Sequence, residues 1–173
     1  MTAKWTAFVA GDVLTAEQLN DVVDNFSDIA IFNETQSAAT AGGTSVASAW
    51  TKRTLNTTIV NNLGATLSSS VITLPAGTYL IEAYAPFYAS QGLKIKLRNT
   101  TDSTDDIIGQ NAYINSGVFA GQAFLTGIVT IAASKNFELQ YYVENAAASQ
   151  GLGITVAAGV SAVYSIIKIV RIA

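Results

Sequence analysis

The chain has 173 residues, enough for one domain with an appendage. It contains no Cys and no His, which excludes disulfides, thiolate nucleophiles, imidazole bases and the common structural zinc sites. The formal net charge is −3 and only 12% of residues are charged, so the composition argues against nucleic-acid binding and predicts that part of the sparsely charged surface is buried in an oligomer.

The first predicted element is an amphipathic helix over residues 15–32. Thr15 and Gln18 form a capping box at its start. Apolar residues then follow the three-and-four spacing of one helical face, at Leu19, Val22, Val23, Phe26 and Ile29. Two interpretations are open: the face packs on its own domain or on a neighbouring protein, or it forms a short bundle around an oligomer axis. Residues 1–32 are therefore predicted to be an amino-terminal anchor segment.

Residues 33–48 are predicted to be a linker. The sequence NETQSAATAGGTSVAS is small and polar, with a Gly-Gly step, and it lacks the apolar content that packing requires. This places a domain boundary before residue 49, so that 49–173 form the main domain.

The main domain is predicted to be all-β. Its hydrophobic period is two, and short apolar runs are separated by Gly, Asn, Ser and Pro without intervening helices. This pattern indicates an antiparallel β-sandwich of about nine strands, for which the jelly roll is one of few topologies. The predicted strands are 53–60, 71–74, 78–88, 93–98, 107–113, 123–131, 137–144, 153–157 and 162–170.

The last of these strands is apolar on both faces. The run AVYSIIKIV places Ile166 and Ile167 on opposite sides of the sheet. One side faces the sandwich core, and the other is expected to be covered by an adjacent subunit, with a capping loop as the alternative. Both isoleucines are therefore candidates for subunit contact.

An ordered series of segments runs through the main domain. These segments are WTKRTLN (50–56), ITLPAGTYLIE (72–82), KLRNTT (96–101), ELQYY (138–142), GLG (151–153) and VYSIIKI (163–169). The series resembles the trimeric jelly-roll domains of bacteriophage virion proteins, which are akin to the globular heads of tumour-necrosis-factor and complement proteins.

The resemblance implies a homotrimer with the closing strand and its aromatic neighbours near the threefold axis. Tyr141, Tyr164 and Ile166 would then contact a neighbouring subunit. The alternative interpretation places the same side chains in the core of one protomer.

The leader WTAFVAGDVLTAEQLN (5–20) is similar to an amino-terminal segment of phage structural proteins. This similarity implies that the anchor segment attaches the protein to the particle. The candidate attachment residues are Trp5, Phe8, Val9, Leu14, Leu19, Val22 and Phe26.

No enzyme site, cofactor site or metal site is predicted. Glu138 and Glu144 lie on one strand face, roughly 20 Å apart at the usual strand rise, which is too far for a pair of catalytic carboxylates. Asp102, Asp105 and Asp106 lack the ligand and glycine spacing of a calcium loop, so a solvated turn is favoured over a cation site.

Two functions are compatible with these features. The first is a structural virion protein, a capsid cement or decoration protein that is assembled in the host cytoplasm, lies on the virion surface and binds the major capsid protein or a tail protein. The second is a short tail fibre or adhesin that binds a host-surface protein or glycan through exposed aromatic and polar side chains. Neither inserts into a membrane. The candidate receptor contacts are Tyr88, Gln91, Tyr113 and Asn115.

Overall fold

A computed structural model describes residues 28–115 and 119–173, together with residues 11, 13, 15 and 16. The described residues form two antiparallel sheets built from twelve strands. The strands are β1 (Ile29–Gln36), β2 (Thr51–Lys52), β3 (Thr57–Asn61), β4 (Thr66–Ser68), β5 (Val71–Leu74), β6 (Gly77–Tyr88), β7 (Gly92–Asn99), β8 (Thr104–Ile108), β9 (Ala112–Tyr113), β10 (Ala120–Ile131), β11 (Lys135–Val143) and β12 (Ala162–Arg171).

The order of strands in the sheets is that of a sandwich with crossovers. One sheet has five strands in the order β10-β6-β12-β1-β3. The other has seven, with β4-β5-β11-β7-β8 as its main path, β2 paired with β11 and β9 paired with β7. Neighbours within each sheet are mostly distant in sequence, as expected when the chain passes repeatedly from one sheet to the other. The predicted all-β, two-sheet antiparallel architecture is confirmed.

The core lies between the two sheets and takes alternate residues from each strand. On β6 the inward residues are Tyr79, Ile81, Ala83, Ala85 and Phe87, all fully buried. From the other sheet, β11 contributes Phe137, Leu139, Tyr141 and Val143. Because side chains alternate along a strand, the remaining positions of each sheet point away from the core. These two outer faces are where functional surfaces can lie.

The predicted helix is wrong over its last four residues. Residues 29–32 belong to β1, which lies between β12 and β3 in the five-stranded sheet. Ala30 and Phe32 are both fully buried, which gives a period of two. A short apolar run fits a helix or a strand equally well, and here pairing with β12 decides for the strand. The preceding part of the predicted helix lies almost wholly outside the described residues.

The predicted linker is also wrong. Residues 33–36 complete β1, and residues 37–48 pack against the segment between β11 and β12. Ser45 is buried, and its Oγ accepts a hydrogen bond of 2.9 Å from the backbone N–H of Ala147. The Gly42 N–H donates to the carbonyl of Gly153 at 3.0 Å. The β-sandwich domain therefore includes residues 29–48 rather than starting after them.

Three of the predicted strands differ from those in the structure. Residues 153–157 lie in a loop, the predicted strand 53–60 is a strand only in its second half, as part of β3, and the predicted strand 107–113 divides into β8 and β9. Gly109 lies at this division, where a Cβ atom would come within 2.6 Å of the carbonyl oxygens of Ile95 and Phe124. Such close approach of three backbone segments is typical of a glycine that interrupts a strand.

Candidate functional site

The outer face of the five-stranded sheet is apolar. Cross-strand pairing places Phe124, Tyr84 and Ile166 in one row, and Ile128, Leu80 and Val170 in another. The rings of Tyr84 and Phe124 pack with centroids 4.9 Å apart. Between the rows lies one ion pair, Lys168–Glu82, at 3.2 Å. This surface, called the apolar outer face below, consists of Ile29, Ile31, Leu80, Tyr84, Phe124, Ile128, Ile166 and Val170.

Several side chains of the apolar outer face are freely accessible in the protomer. Tyr84 is 43% exposed and Ile128 is 61% exposed. The face extends over four adjacent strands, so its side chains form a continuous patch rather than scattered single residues. Contiguous apolar patches of this kind on soluble proteins mark interaction surfaces.

The outer face of the seven-stranded sheet is charged instead. Lys96 and Arg98 both pair with Asp105 at 2.9 Å, and Lys52 pairs with Glu138 at 3.5 Å. Hydrogen bonds from Lys96 and Arg98 lower the pKa of Asp105. This surface, called the charged outer face below, pairs these three cations within the protomer and can face water.

A groove of about 410 Å³ lies at one end of the charged outer face. Pairing of Gly92 with Tyr113, and of Lys94 with Tyr142, brings β7, β9 and β11 together there. The polar and aromatic residues that line it, with one glycine, are Gly92, Lys94, Asn111, Tyr113, Tyr142 and Glu144. It is called the Tyr113 groove below.

The core contains a buried ion pair between Glu34 on β1 and Arg53, both fully buried. Arg53 Nε lies 3.1 Å from Glu34 Oε2 and also donates to Ser165 Oγ, while Nη2 donates to the carbonyl of Leu152. The guanidinium lies 5.5 Å from the ring centroid of Phe87. Burial raises the pKa of Glu34, and the charge of Arg53 opposes this shift only in part. The pair links three distant segments of the chain.

The raised pKa of Glu34 predicts how its contribution to stability depends on pH. In the unfolded chain the carboxyl titrates near its ordinary pKa of 4.5, whereas in the folded protein it holds its proton to higher pH. Its contribution is therefore fully present below pH 4.5 and is lost as the pH rises through the folded pKa. A Glu34→Gln variant lacks this titration but leaves Arg53 buried without its carboxylate, so its free energy of unfolding relative to the wild type should shift in the variant's favour from acidic to neutral pH, on top of a constant cost.

Urea denaturation of both proteins in acidic and in neutral buffer measures this difference, and the comparison cancels every other titrating group. A stability difference that stays constant between the two buffers, or that favours the wild type more at neutral pH, would contradict the assignment.

The carboxylates of Asp102 and Asp106 accept hydrogen bonds from neighbouring side chains of the same protomer. Lys135 Nζ lies 2.6 Å from Asp102 Oδ1 and lowers the pKa of that carboxyl. Asn99 Nδ2 donates to both Asp102, at 3.0 Å, and Asp106, at 3.1 Å. Among the described residues no group of three or more acidic side chains is placed to hold a metal ion. These contacts are those of a solvated turn.

The predicted subunit contacts divide between the core and the surface. Tyr141, Tyr164 and Ile167 are buried within the protomer, at 1%, 7% and 0% exposure, so the prediction that they contact another subunit is wrong. The Tyr164 hydroxyl donates to the carbonyl of Thr40 at 2.6 Å. Ile166, by contrast, lies on the apolar outer face opposite Tyr84.

The predicted receptor contacts also separate. Tyr113 lines the Tyr113 groove. Gln91 directly precedes the lining residue Gly92, and its carbonyl accepts a hydrogen bond of 3.2 Å from the N–H of Ile114. Asn115 is exposed two residues beyond Tyr113. Tyr88 lies on the other sheet, at the end of β6.

The sequence prediction missed the groove residues Gly92 and Asn111. It also missed three that lie on the predicted strands 93–98 and 137–144: Lys94, Tyr142 and Glu144. The alternation that predicted strands 93–98 and 137–144 already placed them on the water-facing side. What the pattern lacked was the pairing of β7 with β11, which joins the two strands into one surface.

The predicted attachment residues lie outside the part of the chain that the structure describes. They are Trp5, Phe8, Val9, Leu14, Leu19, Val22 and Phe26.

Among the described residues, none belongs to a helix with the length and apolar character needed to span a membrane.

No family model and no curated protein matches the sequence. Solved structures do share the fold. The crystal structure of murine APRIL aligns with a TM-score of 0.52 and 9% identity, covering 83% of this chain and 99% of that one. The globular domain of zebrafish complement 1qA protein aligns with a TM-score of 0.52 and 13% identity, covering 83% and 97%. The chain thus has the jelly-roll fold of tumour-necrosis-factor and complement globular heads, and at these identities the likeness extends to the fold alone.

Proposed function

We propose that the protein is a non-enzymatic head that assembles into a homotrimer through its apolar outer face. The observation that carries this proposal is the contrast between the two outer faces of one sandwich. On the charged outer face Lys52, Lys96 and Arg98 are paired within the protomer, whereas the apolar outer face exposes Tyr84 and Ile128. Burying this patch against other subunits removes apolar surface from water, a gain of about 25 cal/mol per Å² from which the entropic cost of association is subtracted.

Threefold rather than twofold symmetry is supported by the sequence resemblance. The series of segments from 50 to 169 resembles domains that form trimers, and this chain folds as those heads do. Its one described intra-face ion pair, Lys168–Glu82, adds no net charge to the face, and its burial between subunits would cost the desolvation of both side chains.

Substitution of Ile128 by Asp tests the apolar outer face. Ile128 is 61% exposed and pairs with Leu80 across the sheet, so the protomer should still fold while a carboxylate at this position opposes subunit contact. We expect the wild type to sediment as a trimer in analytical ultracentrifugation and Ile128→Asp as a folded monomer.

Ile108→Asp is the matched control, because Ile108 is 62% exposed but lies beside Lys96 on the charged outer face. This variant should stay trimeric. A monomeric wild type would overturn the trimer, and trimeric Ile128→Asp would overturn the choice of face.

We further propose that the head belongs to a structural virion protein, a cement or decoration protein on the virion surface whose partner is the major capsid protein. This is supported by the resemblance of the leader 5–20 to phage structural proteins. Asp28 accepts a hydrogen bond of 3.0 Å from the N–H of Arg171, so the residue that precedes β1 and the last residue of β12 lie at the same end of the five-stranded sheet.

Cryo-electron microscopy of intact particles tests this location. Density distributed over the icosahedral shell would support a cement or decoration protein. Density confined to the tail would overturn that role in favour of a fibre or adhesin, and absence from the particle would overturn both.

A further inference from the structure

The Tyr113 groove differs from the rest of the charged outer face in its electrostatics. Lys52, Lys96 and Arg98 each have a carboxylate partner on that face. Lys94, which lines the groove, has no salt-bridge partner among the residues that the structure describes. An ammonium group on the groove wall is therefore free to donate hydrogen bonds to a ligand.

Gly92 and Glu144, which both line the groove, are hydrogen-bonded to each other. Gly92 lies between Glu144, whose N–H donates to its carbonyl at 3.0 Å, and Tyr113, its partner in the sheet. The Gly92 N–H in turn donates to Glu144 Oε2 at 3.2 Å. A Cβ on Gly92 would lie only 2.4 Å from Glu144 Cδ. A Cβ at this position would therefore displace the Glu144 carboxylate from the Gly92 N–H.

Two aromatic rings complete the groove. Tyr113 is 68% exposed, and Tyr142 is half-buried with its ring held against Trp50, at a centroid distance of 5.6 Å. The face of each ring carries negative charge density, which attracts the weakly positive C–H groups of a saturated ring. Tyr113 and Tyr142 therefore offer ring surfaces on which a ligand can stack.

The polar groups match a ligand that both donates and accepts hydrogen bonds. Glu144 accepts, Lys94 donates, and Asn111 does both. The charges of Lys94 and Glu144 cancel, so nothing in the lining selects a phosphate or another strong anion. A saccharide presents hydroxyl groups at its edge and C–H groups on its face, and the volume of about 410 Å³ lies in the usual range for ligand sites.

We propose that the Tyr113 groove binds a neutral saccharide, by stacking a sugar ring on Tyr113 and reading its hydroxyl groups with Glu144, Lys94 and Asn111. This goes beyond the proposed structural role. The groove is formed within one protomer, on the sheet opposite the apolar outer face, so it does not depend on the trimer.

The test is a glycan array of neutral oligosaccharides, built from hexoses and N-acetylhexosamines, printed beside sialylated and sulfated ones and probed with the full chain. The neutral oligosaccharide bound best is then titrated by calorimetry. We expect binding of a neutral oligosaccharide with a Kd of up to about 1 mM. No binding at that concentration, or binding of the acidic glycans alone, would overturn the proposal.

Variants then locate the binding. Tyr113→Ala should weaken the affinity by roughly tenfold, while Tyr113→Phe, which keeps the ring, should stay within about threefold of wild type. Gly92→Ala should also weaken binding, because its methyl group displaces the Glu144 carboxylate. Ile108→Ala, on the same face but outside the groove lining, is the control and should bind as the wild type does. Equal affinity of wild type, Tyr113→Ala and Gly92→Ala would overturn the site.

Discussion

Replacing Arg53 by Met is expected to lower the free energy of unfolding by about 3–5 kcal/mol, because it leaves the Glu34 carboxylate buried without its cation. Both side chains are fully buried, and Arg53 also donates to Ser165 and to the carbonyl of Leu152. The measurement is urea denaturation at neutral pH, with the protomer concentration held fixed because subunit association also contributes to stability.

The double variant Glu34→Leu with Arg53→Met is the control for this prediction. It removes both charges and fills the space with apolar side chains, which for buried ion pairs is often neutral or stabilising. We expect it to recover most of the lost stability but not all, since the Leu152 carbonyl loses its donor. An Arg53→Met protein within about 1 kcal/mol of wild type would show that the pair carries little stability.

The buried pair also shows what sequence patterns could not predict. Glu34 falls in a small polar stretch that is typical of a linker, and no local pattern connects it with Arg53 or Ser165. Its burial follows from β1 pairing with β12 across more than a hundred residues of chain. Long-range pairing of this kind leaves no periodic signal in either segment.

Periodicity did predict the interior of the sandwich. Alternation in 93–98 and 137–144 placed the correct side chains inward on β7 and β11, and the two-sheet architecture followed from many short strands without helices. Periodicity gives the wrong structure at residues 29–32, because an apolar run that follows a helical pattern is consistent with a continuation of the helix. There only the partner strand distinguishes the two structures, because Ala30 and Phe32 need a second sheet to cover them.

The subunit contacts of β12 could be assigned only from the register of strand pairing. Strand β12 is apolar on both faces, so its sequence predicts that both faces are buried but not which face each residue lies on. Register decides this: Ile167 lies opposite Ala83 and Phe32 in the core, and Ile166 lies opposite Tyr84 on the apolar outer face. Alternation alone predicts that Tyr141 faces inward, and only the resemblance to trimeric heads implies that it lies at the interface.

Ile167→Asp is expected to abolish folding at neutral pH, with a loss of about 5 kcal/mol or more. Ile167 is fully buried between the two sheets, and the pairing residues Ala83 and Phe32 offer a carboxylate no hydrogen-bond donor from their side chains. The carboxylate must stay unpaired in an apolar core or take up a proton, and both are costly. Circular dichroism and the soluble yield of the purified chain measure the loss.

Ile166→Asp separates the core from the interface, since it makes the same change one residue earlier on the opposite side of β12. Ile166 is only half-buried in the protomer, so the chain should fold with a near-native circular dichroism spectrum but sediment as a monomer. If both variants were folded trimers, the assignments of Ile167 to the core and of Ile166 to the subunit interface would both be wrong. If both failed to fold, Ile166 would be part of the protomer's own core, and the interface would have to lie elsewhere on the sandwich.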